Sequence, residues 1–273
     1  MASVSATTSS EPIAQRFAAL RADGRSALVA YLTAGHPSPD ASVELLRVLE
    51  ASGADVIEVG VPFSDPIADG PVIQASSQRA LEHGVTFERT LEIVADAGLQ
   101  VPVVLFTYLN PLVAAGPLAL SRAADAGAHG ILVTDLPLGA DADREAWLGE
   151  GPLAFIRLVA PTTPRARMAR IAEHGRGFVY LISRLGVTGV RDELPPELAD
   201  TVARLRGVTA LPICVGFGIA RPEQARAVAA MADGVVVGSA IVRAAADGPA
   251  HVGHLTRALR SAIDDATEPR LGR

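Results

Sequence analysis

Residues 53–71 read GADVIEVGVPFSDPIADGP, and this stretch sets the reading of the whole chain. Gly53 closes a preceding helical segment, because glycine takes the left-handed conformation that turns a chain back on itself. Val56 to Val61 is a short β-branched run of strand length, and the loop behind it is stiffened by Pro62, Pro66 and Pro71. The same punctuation returns at Gly127-Ala128 and at Ala232-Asp233, each time just before another strand-like run. The unit of organisation is therefore helix, tight turn, strand, loop.

Working outward, strands are expected at Ala27 to Thr33, Val56 to Val61, Pro102 to Thr107, Gly130 to Thr134, Ala154 to Val159, Phe178 to Ile182, Pro212 to Val215 and Gly234 to Val237. Between them, apolar residues fall at helical spacing in Pro39 to Ser52, Phe87 to Ala97, Leu118 to Ala126, Asp141 to Leu148, Pro164 to His174, Pro196 to Arg206 and Arg221 to Met231. A helix at Ile13 to Ala22 precedes the first strand, and one over Val252 to Asp265 closes the series. Eight such repeats indicate a closed parallel barrel or a doubly wound open sheet; the short, evenly spread strands and the lack of a Pro-, Gly- or Ser-rich linker favour an α/β protein of one domain, residues 11–273, folded as a (β/α)8 TIM barrel with an extra N-terminal helix. Residues 1–10 hold six Ser or Thr and read as a flexible tail, lacking the basic and apolar regions of a secretory signal.

Composition narrows the function. The 273 residues are 49% hydrophobic and 20% charged, which supports a large core, and the net charge of −6 with 4% aromatics gives no footprint for nucleic acid. No apolar run approaches the ~18 residues of a membrane span. The single cysteine, Cys214, reads as a buried strand thiol, in keeping with a reducing cytoplasm. All 24 basic residues are Arg, so no lysine is present to form a Schiff base with a substrate or pyridoxal phosphate. The scattered histidines, His251 and His254 included, do not make a metal site.

In a barrel of this type chemistry sits on the loops after the strands. Strand alternation puts Ile57, Val59 and Val61 on one face and Val56, Glu58 and Gly60 on the other; the apolar face packs under helices, so Glu58 points into the barrel. A carboxyl there is costly unless partnered or used. Asp69, eleven residues on, closes the proline-rich loop and can oppose Glu58 across a substrate, whereas Asp65 reads as a turn residue. Gly216-Phe217-Gly218 and Gly238-Ser239 follow the seventh and eighth strands, where backbone N–H groups and a short helix starting at Ser239 suit a phosphate. The longer loop Ser183 to Pro195, with Gly186, Thr188 and Gly189, suits a lid. Tyr108 and Tyr180 are rim candidates, and Tyr108, Thr188 and Phe217 are the side chains placed for substrate contact.

The segment quoted first, together with FTYLNP at 106–111, DLP at 135–137, APTTP at 160–164, VYLISRLGVTGVR at 179–191, GFGI at 216–219 and GSAIV at 238–242, resembles the tryptophan synthase α subunit family over nearly the whole chain. The resemblance implies cleavage of indole-3-glycerol phosphate to indole and glyceraldehyde 3-phosphate in tryptophan biosynthesis, with Glu58 as general acid/base and Asp69 on the indole N–H. It places Tyr180 near the catalytic acid, and puts the phosphate on Gly189, Gly218, Gly238 and Ser239. It further implies no cofactor on this chain, and a β subunit carrying pyridoxal phosphate in an α2β2 assembly. His36 and Thr134 depart from the family's usual residues. A stand-alone lyase, a silent activator of a β-type partner, and a different phosphate-sugar barrel are the other readings; the paired acids weigh against the activator, and the long specific loop motifs against the third.

Overall fold

A computed structural model describes residues 11–183, 194–216 and 218–266. The tail at 1–10 lies outside them. Eight parallel strands close into one barrel in chain order: β1 (Ala27–Thr33), β2 (Val56–Gly60), β3 (Val103–Thr107), β4 (Gly130–Val133), β5 (Ala154–Val159), β6 (Val179–Ile182), β7 (Ile213–Gly216) and β8 (Gly234–Val237). Around them in chain order run α1 (Glu11–Ala22), α2 (Pro39–Ala51), α3 (Pro71–Glu82), α4 (Phe87–Ala97), α5 (Leu109–Ala115) and α6 (Ala119–Asp125). The second half adds α7 (Ala142–Glu150), α8 (Arg165–Glu173), α9 (Leu198–Arg206), α10 (Pro222–Ala229), α11 (Ser239–Ala246) and α12 (Pro249–Asp264).

Every expected strand is present, within a residue or so of its expected ends, and the helices expected between them form. The expectation lacked α3 and α5. The buried face of α3 is Ile73, Ser76, Ser77 and Ala80, a helical spacing in which two of the four residues are serines, so apolar periodicity does not reveal it. Helix α5 has seven residues, includes Pro111, and buries only Leu112. Gly53 and Gly127 carry φ of +102° and +101°, the left-handed turns anticipated before β2 and β4.

Strand alternation sorts side chains into two cores. Ile57, Val59, Leu105 and Val235 join the helices in the outer core, while Val29, Val56, Val104, Leu132, Ile156 and Phe178 fill the barrel interior. Helix α1 plugs one end: Ile13, Phe17 and Leu20, one helical face, are buried in the inner core, with Phe17 against Phe178 at 5.7 Å. A Cβ on Gly130 would stand 2.8 Å from the Ile13 Cδ1, so β4 has glycine where the plug enters. At that same end the Asp55 carboxylate accepts from Arg16 of α1, from Arg260 of α12 at 2.6 Å and from the Leu28 N–H of β1 at 2.8 Å, binding the plug and the last helix to the sheet. With this end sealed, the barrel opens at the C-terminal ends of its strands.

Candidate active site

Glu58 lies on the inward face of β2, 1% exposed, and its Oε1 has no hydrogen-bond partner. Burial pushes its pKa up to about 8, so at neutral pH the carboxyl holds its proton and has one to give. Asp69 is also buried, and its pKa is raised to about 6 by burial against the opposing hydrogen bond from Tyr108. Both acids act on the same phenols, Tyr31 and Tyr180, and one neutral and one mostly ionised carboxyl so placed divide naturally between acid and base roles.

Tyr108, the N-cap of α5 just after β3, assembles the Asp69 loop. Its hydroxyl donates to Asp69 Oδ2 at 2.9 Å and accepts from the Ala68 N–H at 3.0 Å, and its ring packs on Phe63 at 4.9 Å. Asp135 of the DLP motif in turn accepts the Leu109 N–H at 2.8 Å, joining the loops after β3 and β4. The loop therefore presents Asp69 inward while Asp65 stays exposed as a turn residue, accepting from Ser64. Sequence reasoning placed Tyr108 at the rim for substrate contact; its observed bonds are to the acid and the loop.

Tyr180 on β6 is buried in the inner core, and its hydroxyl occupies the space where a Cβ on Gly216 would stand, 2.2 Å from that position. Burial, and after it the charge of Glu58, raise its pKa, so it remains a neutral phenol beside the acid. Cys214, its register partner on β7, is a buried thiol as expected.

The ends of β7 and β8 are neighbours in the sheet. Gly218 is exposed with φ +85°, and no atom lies within 4 Å of the place a Cβ would take. Gly238, beside Tyr31, caps α11 with no side-chain hydrogen bond, and the first residue of that helix is Ser239, so the helix start has backbone N–H groups without an intrahelical partner. Phe217, Thr188 and Gly189 lie outside the described residues. His36 is buried near the backbone of α11 at Val242, and Thr134 donates to the Thr107 carbonyl at 3.3 Å. Among the described residues no group of three or more His, Cys, Asp or Glu could hold a metal ion.

Sequence reasoning overlooked Tyr31, whose hydroxyl overlies Gly60 on β2, and with it Thr33 and Ser76. The available signal was a glycine on the inward face of each of two strands, Gly60 and Gly216, each making room for a tyrosine hydroxyl.

The family model for tryptophan synthase alpha chain matches residues 17–266. The tryptophan synthase alpha chain of Halorhodospira halophila is 48% identical over 268 residues, covering 93% of this chain and 97% of that one. That of Gluconacetobacter diazotrophicus is 48% identical over 239 residues, covering 84% and 85%. Among solved structures, one of Mycobacterium tuberculosis tryptophan synthase superposes with a TM-score of 0.85 at 38% identity, covering 92% of this chain and 97% of that chain. The tryptophan synthase subunit alpha of Legionella pneumophila gives 0.85 at 36% identity, covering 93% and 98%. A closed barrel with two buried acids toward its open end and this match over nearly its whole length establish that the chain belongs to the tryptophan synthase alpha chain family.

Proposed function

We propose that Glu58 and Asp69 are the groups with which this chain, a carbon–carbon lyase of tryptophan biosynthesis, cleaves indole-3-glycerol phosphate to indole and glyceraldehyde 3-phosphate. The observation that carries the assignment is the pair of buried carboxyls, raised to pKa values near 8 and 6, that act on the same two phenols. A proton is added to indole C3, and the developing positive charge is held through the ring N–H by ionised Asp69. Loss of the glycerol hydroxyl proton then forms the aldehyde, while the electrons of the breaking carbon–carbon bond return to the ring. Glu58, neutral and buried, serves the proton traffic at C3 and at that hydroxyl, with Tyr180 beside it. The substrate phosphate is assigned to the N–H groups of Gly218, Gly238 and Ser239, with Gly189 arriving from the lid. Tyr108, Thr188 and Phe217 are assigned to the substrate walls, Tyr108 also holding Asp69 in place.

The chain is assigned no cofactor of its own. It acts in the cytoplasm with a β subunit that carries pyridoxal phosphate, in an α2β2 heterotetramer. No helix among the described residues is long and apolar enough to cross a membrane. Exposed Ile67, Val113 and Leu118, in the loop after β2 and around α5, supply apolar surface at the open end of the barrel for such a partner. The stand-alone lyase reading has one observation in its favour: the Tyr108 contacts hold the Pro62 to Pro71 loop from within the chain. Indole release by the purified chain, alone and titrated with a β subunit, decides between the two. Acceleration by the β subunit supports the assembly, full activity without it supports the stand-alone enzyme, and no indole in either arm overturns the assignment.

A further inference from the structure

The barrel interior contains a third phenol that this chemistry does not use. Tyr31 pairs with Glu58 in the parallel register of β1 and β2, is 6% exposed, and meets Phe106 edge to face at 5.3 Å. Its hydroxyl lies 2.1 Å from where a Cβ on Gly60 would be. Gly60 shares the inward face of β2 with Glu58, two residues nearer the open end, so the phenol oxygen sits just above the root of the catalytic carboxyl. From there a chain of hydroxyls leaves the cavity: Tyr31 Oη to Thr33 Oγ1 at 3.3 Å, Thr33 Oγ1 to Ser76 Oγ at 2.6 Å, and Ser76 Oγ to the Ile73 carbonyl at 2.8 Å. All three hydroxyl-bearing residues are buried.

The proton count sets the polarity of this chain. A carbonyl only accepts, so while Ser76 donates to Ile73, Thr33 donates to Ser76, Tyr31 donates to Thr33, and Tyr31 offers lone pairs to the cavity. The opposite polarity needs only rotation about three C–O bonds. Ser76 then donates to Thr33, Thr33 to Tyr31, and Tyr31 into the cavity, while the Ile73 carbonyl keeps the backbone bond of its helix. No proton changes owner and no heavy atom moves.

We propose that Tyr31, Thr33 and Ser76 form a reversible hydroxyl relay that makes Tyr31 a positioning residue for the acid pair, donating into the cavity when a carboxylate there is ionised and accepting when it is protonated. The proposal rests on the assignment of Glu58 and Asp69 as the reacting acids. The titratable groups that act electrostatically on the phenol are Asp69 and Glu58, from β2 and the loop after it, and Tyr108 from the end of β3, and the phenol in turn acts on Tyr180 of β6. Burial, then the charge of Asp69, raises the Tyr31 pKa, so the phenol keeps its proton and offers it only as a hydrogen bond.

The bond donated to the charged acid is stronger than the bond accepted from the neutral one, so on balance the relay lowers the acid's pKa and cutting it raises that pKa. The test is the pH profile of indole formation by the full chain carrying Tyr31→Phe, Thr33→Val, Thr33→Ser or Ser76→Ala. Tyr31→Phe moves the acidic limb upward by roughly one pH unit, a change on the scale of one hydrogen bond, and Thr33→Val, which keeps the phenol but removes the hydroxyl that donates to it, moves it the same way by less. Ser76→Ala moves it the same way by less, and Thr33→Ser, which keeps the hydroxyl, restores the profile. Turnover falls severalfold with little change in KM. An unmoved limb in correctly folded Tyr31→Phe and Thr33→Val overturns the relay, as does Thr33→Ser behaving like Thr33→Val. Should Tyr31→Phe fail to fold, the Thr33 and Ser76 variants decide. Glu58→Gln and Asp69→Asn run alongside: full turnover in both removes the acid-pair assignment and the relay with it, whereas inactivity in both with an unmoved Tyr31→Phe profile removes the relay alone.

Discussion

Glu58→Gln separates the functional value of the buried carboxyl from its cost to the fold. Below pH 4.5, the ordinary value for the group, folded and unfolded chains both hold the proton; between there and about 8 only the folded chain does. Over that window the unfolded state binds fewer protons than the native state, so stability falls as pH rises, by about 1.4 kcal/mol per pH unit. Across the interval from 4.5 to about 8 the loss amounts to about 4 to 5 kcal/mol. A glutamine does not titrate and escapes this loss, though its buried amide costs ~1–3 kcal/mol if left without partners. The variant is therefore no more stable than the parent near pH 5, and its relative stability rises steadily to pH 8, while indole formation drops ~100- to 10,000-fold. Urea unfolding of both proteins at half-unit pH steps, with indole release on the same samples, reads both effects. Stability curves that run parallel from pH 5 to pH 8 would refute the reasoning, because Glu58 would then titrate alike in the folded and unfolded chains.

Tyr108→Phe removes the donor to Asp69, so the Asp69 pKa rises from about 6; a charge-assisted bond of ~1.5–3 kcal/mol corresponds to about one to two pH units. The acidic limb of kcat/KM should shift upward accordingly, and a fixed limb argues that Asp69 need not be ionised. Gly238→Ala fits the fold, since its Cβ would lie 3.5 Å from Tyr31, an ordinary contact. KM and the Kd of glyceraldehyde 3-phosphate should both rise with melting temperature unchanged, and unaltered affinity would move the phosphate elsewhere; Gly218 is a poorer probe because its φ of +85° strains any side chain. Asp55→Asn removes the charge shared by Arg16 and Arg260 at the sealed end, though Arg260 keeps Asp264, and should cost about 1.5–3 kcal/mol by denaturant titration, with turnover of the folded fraction intact. A stability loss under 1 kcal/mol would show that the cluster does not bind the plug.

The sequence alone determined eight alternating strand and helix units, and so favoured a barrel. Strand and helix periodicities depend on local residue order, and the spacing of Gly53, Gly127 and the Ala232-Asp233 turn punctuates them, so strand number and order follow without knowledge of any contact. It determined the inward direction of Glu58 too, because alternation is a property of one strand. What it left out are relations between elements. Helix α3 was hidden because Ser76 and Ser77 occupy its buried face, and serine there reads as surface until closure of the barrel supplies Thr33 as a partner. Tyr108 read as a rim residue until the loop after β2 placed Asp69 and Ala68 on its hydroxyl, across 39 and 40 residues of sequence. Gly60 read only as an inward strand position, and Gly216 as part of a phosphate loop, until Tyr31 and Tyr180 came to occupy the volume their missing side chains leave. The proton affinities of the acids belong to this second group: a carboxyl's pKa depends on how much water closure removes from around it and on which donors remain in reach, and only the folded barrel fixes both.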